Sequence, residues 1–231
     1  SMTGLTRGMG TSETAGTSET SETSETAGTS KTAETAGASA TPGTSQVPPN
    51  GPVPAYPGVD VGTTDRKRAV SWEDPLAGAT LSLQLSGLDY LRRILEGEVP
   101  PPPIAVLLGM RIVEVEPGRA VFTLDIGEHL YNPIGSVHGG VFSTVLDSAM
   151  GCAVHSTLPA GKAYTTLELK VNLVKALTME TPQVRSEGRV ISAGRRVATA
   201  SAQIVAPDGT LFAHATTTCL IFDVPTPKTT E

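Results

Sequence analysis

The residues best able to do chemistry in this chain lie close together, in NPIGSVHGGVFSTVLDSAM, residues 132–150. His138 precedes a glycine pair, Gly139 and Gly140, and a single carboxylate, Asp147, follows inside an otherwise apolar run. Apolar residues recur at almost every position from Val141 to Val154, which predicts one long helix, buried on most sides and starting near the glycines. A helix N-terminus carries unpaired N–H groups and about half a positive charge, an arrangement suited to an oxyanion or a polarised carbonyl. A residue without Cβ lets a ligand approach such an N–H closely. The eight residues from Gly139 to Asp147 span roughly 12 Å of helix axis, whereas reacting groups must come within about 3–3.5 Å. If the glycine N–H and the carboxylate serve one group, the carboxylate comes from a second copy of the chain with its helix antiparallel, and a two-fold axis then creates two equivalent sites. The spacing also fits a plainer arrangement, in which the glycines permit tight packing and Asp147 satisfies a buried polar group or faces solvent.

Other catalytic signatures do not occur. There is no G-x-S-x-G, no G-x-G-x-x-G, no phosphate-binding loop and no H-E-x-x-H. The histidines, His129, His138, His155 and His214, are not at metal-ligand spacing, so no metal is expected.

The elements that must position these residues follow from hydropathy patterning. Arg111–Val115 and Ala120–Ile126 predict two strands joined by a turn at Pro117 and Gly118. After the helix, AYTTLELKVNLVKAL alternates, with Leu167, Leu169, Val171 and Leu173 on one face and Thr166, Glu168, Lys170 and Asn172 on the other. Three further strands follow, with turns at Gly194 and at Asp208 and Gly209. Strand, strand, one long apolar helix and four strands describe an α+β domain in which an antiparallel sheet wraps a helix. Ahead of it, Leu88, Leu91, Ile94 and Leu95 recur at helical spacing behind a candidate N-cap, Ser86, and the prolines from Pro100 end that helix. A helix so short needs a surface to dock on.

Residues 1–68 are a different material. Repeats of TSET and ETAG give way to the proline-rich VPPNGPVPAYPG and a charged boundary, Asp65 to Arg68. With so few large apolar residues, burial does not offset the roughly 1–2 kcal/mol per residue of backbone ordering entropy, which predicts a disordered tail and linker. Ser1 ahead of Met2 looks like the remnant of a cleaved tag. The expected organisation is thus tail 1–68, helical extension 69–99, folded domain 100–224 and a short tail 225–231. A formal net charge of −6 lacks the basic footprint that nucleic-acid phosphates require. Cys152 and Cys219 lie in apolar runs and are expected as reduced thiols in a cytoplasmic protein. Neither a membrane span nor a signal peptide is apparent.

The pattern N-x-x-G-x-x-H-G-G, formed by Asn132, Gly135, His138, Gly139 and Gly140, followed by Asp147 and the strand TTLELKVNLVKAL, resembles the hotdog-fold acyl-CoA thioesterases of the phenylacetate-degradation type. The resemblance covers roughly residues 100–222. It implies a long central helix wrapped by a curved antiparallel sheet, paired as a homodimer and often doubled to a homotetramer. It further implies that the Gly139 N–H polarises the thioester carbonyl and that Asn132 sits near that carbonyl or the attacking water. His138 would shape the turn, and Asp147 of the partner subunit would act as general base or nucleophile. A Ser or Thr on the strand after the helix orients the water in this branch. Counting by face from Glu168, Lys170 and Asn172, that residue is Thr166, with Thr165 the alternative. No cofactor is implied, since coenzyme A is part of the substrate.

Its phosphates need a basic landing site, for which Gly194, Arg195 and Arg196 at a turn are the candidates, with Lys170 and Lys175 behind them. Phe142, Leu146 and Met150 are expected to line the acyl pocket or else to be core. Aromatic residues make up 4% of the chain, which marks no aryl-specific site and leaves medium-chain, aryl and branched acyl groups open. Two rival functions share this fold: an acyl-CoA-binding module without turnover, and a hydratase or dehydratase acting on acyl-thioesters.

Overall fold

The computed structural model describes residues 66–224. Of the expected tail, residues 1–68, all but the last three lie outside the described residues, as do residues 225–231. Four helices and six strands follow in the order α1 (Pro75–Gln84), α2 (Gly87–Leu95), α3 (Pro103–Leu108), β1 (Met110–Glu116), β2 (Arg119–Asp125), α4 (Gly139–His155), β3 (Lys162–Leu173), β4 (Gln183–Ala193), β5 (Val197–Val205) and β6 (Leu211–Asp223). The strands form one antiparallel sheet in the order β1-β2-β4-β5-β6-β3. It curls around α4 as a hotdog fold. Strand β3, last in the sheet, has a free edge.

Helix α4 is the axis of the core because nearly every side of it is apolar. Val145, Leu146, Ala149, Met150, Ala153 and Val154 are wholly buried, and facing them on the sheet are Ala120, Leu124, Val184, Ala200, Ile204 and Ala213. Full burial of a Leu- or Met-sized side chain is worth about 1.5–3 kcal/mol, so this interface dominates the stability of the domain. The sheet meets the helix most closely at Gly188 of β4, where a Cβ would stand 2.2 Å from the Ala149 carbonyl oxygen.

Bulges bend the sheet. One residue is left without a register partner in each of β1, β3 and β4: Val113, Leu167 and Ile191. An inserted residue locally increases twist and reverses the side-chain alternation beyond it. This corrects the alternation expected for β3. Leu169 and Val171 pack against the core, but Leu167 is exposed, and Thr166 faces inward instead of sharing a face with Glu168 and Lys170.

The N-terminal region holds two helices where one was expected. Ser86 caps α2, its hydroxyl accepting from the Asp89 N–H at 3.2 Å. Helix α1 precedes it, capped by Asp74 and started by Pro75. It buries none of its residues and has no apolar stripe, so hydropathy alone gave no sign of it. The charged boundary is also part of the folded body: Arg66 pairs with Glu128, and the Arg68 guanidinium donates to the Leu107 carbonyl at 2.6 Å.

Candidate active site

The start of α4 is built by His138, whose Nδ1 accepts from the Gly140 N–H at 2.9 Å and so acts as the N-cap. The Gly139 N–H makes no hydrogen bond to another described residue, as befits the first turn of a helix. Space beside it is limited, since a Cβ on Gly139 would lie 3.2 Å from Leu173 Cδ1. Asn132 is turned onto its own loop. Its Oδ1 accepts from the N–H groups of Ile134 and Ser136, and its Nδ2 donates to Ser136 Oγ at 3.2 Å. The turn this stabilises passes through Gly135 at φ 82°, a left-handed conformation that glycine adopts without penalty.

Asp147 lies two turns into α4, half-buried, on the side facing β3. Its Oδ1 accepts from the Thr166 hydroxyl at 2.9 Å. Of the two threonines considered on β3, Thr166 reaches the carboxylate and Thr165 points to solvent. The groups around Asp147 are kept neutral. Burial, then the Asp147 charge, pushes the Cys152 thiol up to about 12. Burial and the same neighbours hold the Tyr164 phenol well above its ordinary value. Cys152 and Cys219 are both free, and a protonated thiol is a poor nucleophile.

A cavity of about 660 Å³ opens from Asp147 along α4. From α4 it is lined by Asp147, Ser148, Cys152 and His155, and on the opposite side by α2, α3 and β1. Phe142, Leu146 and Met150, the residues expected to line the acyl pocket, do not touch it; they face the sheet and are sealed in the core. A helix that is apolar almost all round does not show which side meets a sheet and which a cavity. The signal available was the complementary stripe, since Asp147, Gly151 and His155 follow at i, i+4 and i+8 with Ser148 and Cys152 beside them.

Gly194, Arg195 and Arg196 form the turn between β4 and β5, closed by the Gly194 N–H donating to the Val197 carbonyl at 2.8 Å. Both arginines line a second cavity of about 330 Å³ together with Lys162, which pairs with Asp223 at 2.6 Å. Lys162 was not singled out from sequence, because it is distant from the arginines along the chain and only the β3–β6–β5 pairing brings them together. Lys170 lies on the outward face of β3, and Lys175 sits 5.7 Å from the centroid of the Phe212 ring. Among the described residues no three His, Cys, Asp or Glu side chains converge as a metal site, and no helix is long and apolar enough to cross a membrane.

Residues 134–213 match the model of the Thioesterase superfamily. A protein of Ralstonia eutropha JMP134, described as a thioesterase related to phenylacetic acid degradation, has a solved structure 31% identical to this chain; the match covers 57% of this chain and 98% of that one, with a TM-score of 0.52. The chain belongs to the thioesterase superfamily. A thioesterase family protein of Silicibacter pomeroyi is 29% identical over 58% of this chain and 98% of its own, with a TM-score of 0.52. Among curated proteins, one named as an esterase in Halobacterium salinarum is 27% identical over 55% of this chain and 86% of its own. A 1,4-dihydroxy-2-naphthoyl-CoA hydrolase of Listeria monocytogenes is 31% identical over 28% of this chain and 53% of its own. As a thioesterase the chain is an acyl-thioester hydrolase by class. Gly139, Asp147 and Thr166 fall inside the segment that matches the family, whereas α2 and α3 precede it.

Proposed function

We propose that this thioesterase hydrolyses an acyl-CoA thioester to the free acid and coenzyme A, at a site completed by a second copy of the chain. The observation that carries the reading is the pair formed by a free N–H at Gly139 and a carboxylate held by Thr166 two turns away. Within one chain these lie roughly 12 Å apart along the helix, too far to serve one carbonyl. Both sit beside β3, Gly139 against Leu173 and Asp147 against Thr166. The free edge of β3 exposes Leu167 and Leu173 at 59% and 57%, with Val174 just past its end at 55%, an apolar stretch that is a ready template for pairing. Antiparallel pairing of two such edges about Leu169 and Lys170 sets Thr166 of one chain level with Leu173 of the partner subunit. That brings each Asp147 toward the Gly139 of the partner subunit. The homotetramer implied by the sequence resemblance would be two such pairs.

In the reaction, the Gly139 N–H donates to the thioester oxygen, and Asp147 of the partner subunit removes a proton from water as it attacks the carbonyl carbon. The tetrahedral oxyanion is held by the same N–H. Its collapse breaks the C–S bond and expels the thiolate, which takes up a proton, leaving the acid. Thioesters have little resonance stabilisation, so one or two donors and a positioned base suffice without a triad. Asn132 keeps the loop ahead of the helix in place and His138 caps the helix. Arg195, Arg196 and Lys162 supply positive charge for the coenzyme phosphates. Lys162 lies four residues along β3 from Thr166, about 13 Å at strand rise, a separation suited to the pantetheine arm.

An acyl-CoA panel with release of free thiol as readout tests this. Wild type is expected to turn over at least one class of acyl-CoA, and Asp147→Ala to lose about 10²–10⁴-fold in kcat. Equal rates for the two proteins, or tight binding without any turnover, would overturn the reading.

A further inference from the structure

Resting on the acyl-CoA reading, the geometry points to the larger cavity as a chamber for the acyl group, with α2 and α3 as its outer wall and Tyr90 setting its depth. Its occupant is a medium-length acyl chain. The chamber follows α4 from Asp147, where the carbonyl is processed, to His155. These residues are eight apart, roughly 12 Å of helix axis. With bonds of about 1.5 Å in a zigzag, that length accommodates roughly eight to ten carbons.

The far end is closed by rings. His155 stands between Tyr90 and Tyr164, with centroids 5.7 and 5.6 Å away. The Tyr90 hydroxyl backs onto α1, 3.5 Å from where a Cβ on Gly78 would be. Leu91, Ile94 and Met110 make the walls apolar, and the burial of methylenes there, about 0.8 kcal/mol each, continues up to the length at which the chain meets Tyr90.

The wall is fixed to the body rather than draped on it. The Gly87 N–H donates to the Leu158 carbonyl at 2.9 Å, and a Cβ on Gly87 would stand 1.8 Å from the His155 carbonyl oxygen. Helix α2 therefore docks directly on the end of α4 and holds Tyr90 in place.

The test uses the full chain, with hydrolysis measured on short, medium and long saturated acyl-CoAs and binding measured on the corresponding non-hydrolysable alkyl-CoA thioethers. Wild type should favour medium lengths in both assays. Tyr90→Ala should move the optimum toward longer chains by about two to four carbons. Ile94→Trp, which fills the chamber from the side, should cost medium chains about tenfold or more while sparing short ones. Misfolding would depress all lengths together and lower the melting temperature, so opposite shifts in folded variants are the signature of a ruler. Hydrolysis whose length profile is flat, or unchanged in both folded variants, overturns the chamber and leaves the hydrolase standing. Length-graded thioether binding without hydrolysis sinks the hydrolase and keeps the chamber. Neither activity overturns both.

Discussion

Thr166 reaches Asp147 because one extra residue, Leu167, interrupts the alternation of β3. Counting by face pointed to Thr166, but for the wrong reason: it grouped Thr166 with Glu168, Lys170 and Asn172, from which the bulge separates it. A period-two pattern contains no mark for an inserted residue, so the contact was legible only in the fold. The consequence is testable at this scale. Thr166→Val removes the donor to a charged acceptor, an interaction of about 1.5–3 kcal/mol, and should lower kcat about tenfold or more with KM little changed. Thr166→Ser should restore most of it. His138→Ala should lower stability by about 1 kcal/mol through loss of the cap, and His138→Asn should retain it, as read by denaturant titration.

At the scale of elements, the strand order and the long helix were legible because their periodicities are strong, and the motif at Gly139 marked where the helix begins. Less visible were α1, which packs too little to need an apolar stripe, and the side of α4 on which the cavity lies. Close approach between elements was equally hidden, although its glycines are plain in the sequence. Gly188→Val should prevent β4 from seating on α4 and is expected to abolish folding, seen as loss of a cooperative thermal transition. Gly87→Val should be milder, costing about 1–3 kcal/mol as α2 shifts off the end of α4. Its melting transition should remain cooperative.

For the whole molecule, the proposed two-chain site predicts complementation. Mixing Gly139→Val chains with Asp147→Ala chains, each nearly inactive alone, should regain up to about a quarter of wild-type activity, since random pairing gives half mixed dimers with one intact site each. Mixed dimers without activity would place the whole site within one chain. Acid sensitivity is also a property of the whole. Burial lowers the pKa of His155, so the unfolded chain takes up its proton first. Stability should begin to fall as pH drops below about 6.5 and continue down to the folded-state value. His155→Gln should flatten that part of a melting-temperature profile. In the carboxylate range, Glu114, Asp125 and Glu187, held low by hydrogen bonds to arginines, lose their contribution as pH falls through their unfolded values toward their folded ones.

The two edges of the sheet differ in a way that bears on solubility. At one, β1 presents Arg111, Glu114 and Glu116 and is interrupted by a bulge at Val113, while α2 and α3 pack beside it; charges, bulges and covering helices all discourage strand addition. At the other, β3 carries a bulge and charges too, at Leu167, Glu168 and Lys170, and differs in the leucines it exposes. A sheet inviting at both edges would polymerise into fibres, and one guarded at both would stay alone. With a single inviting edge, growth along the sheet stops as soon as two copies have met.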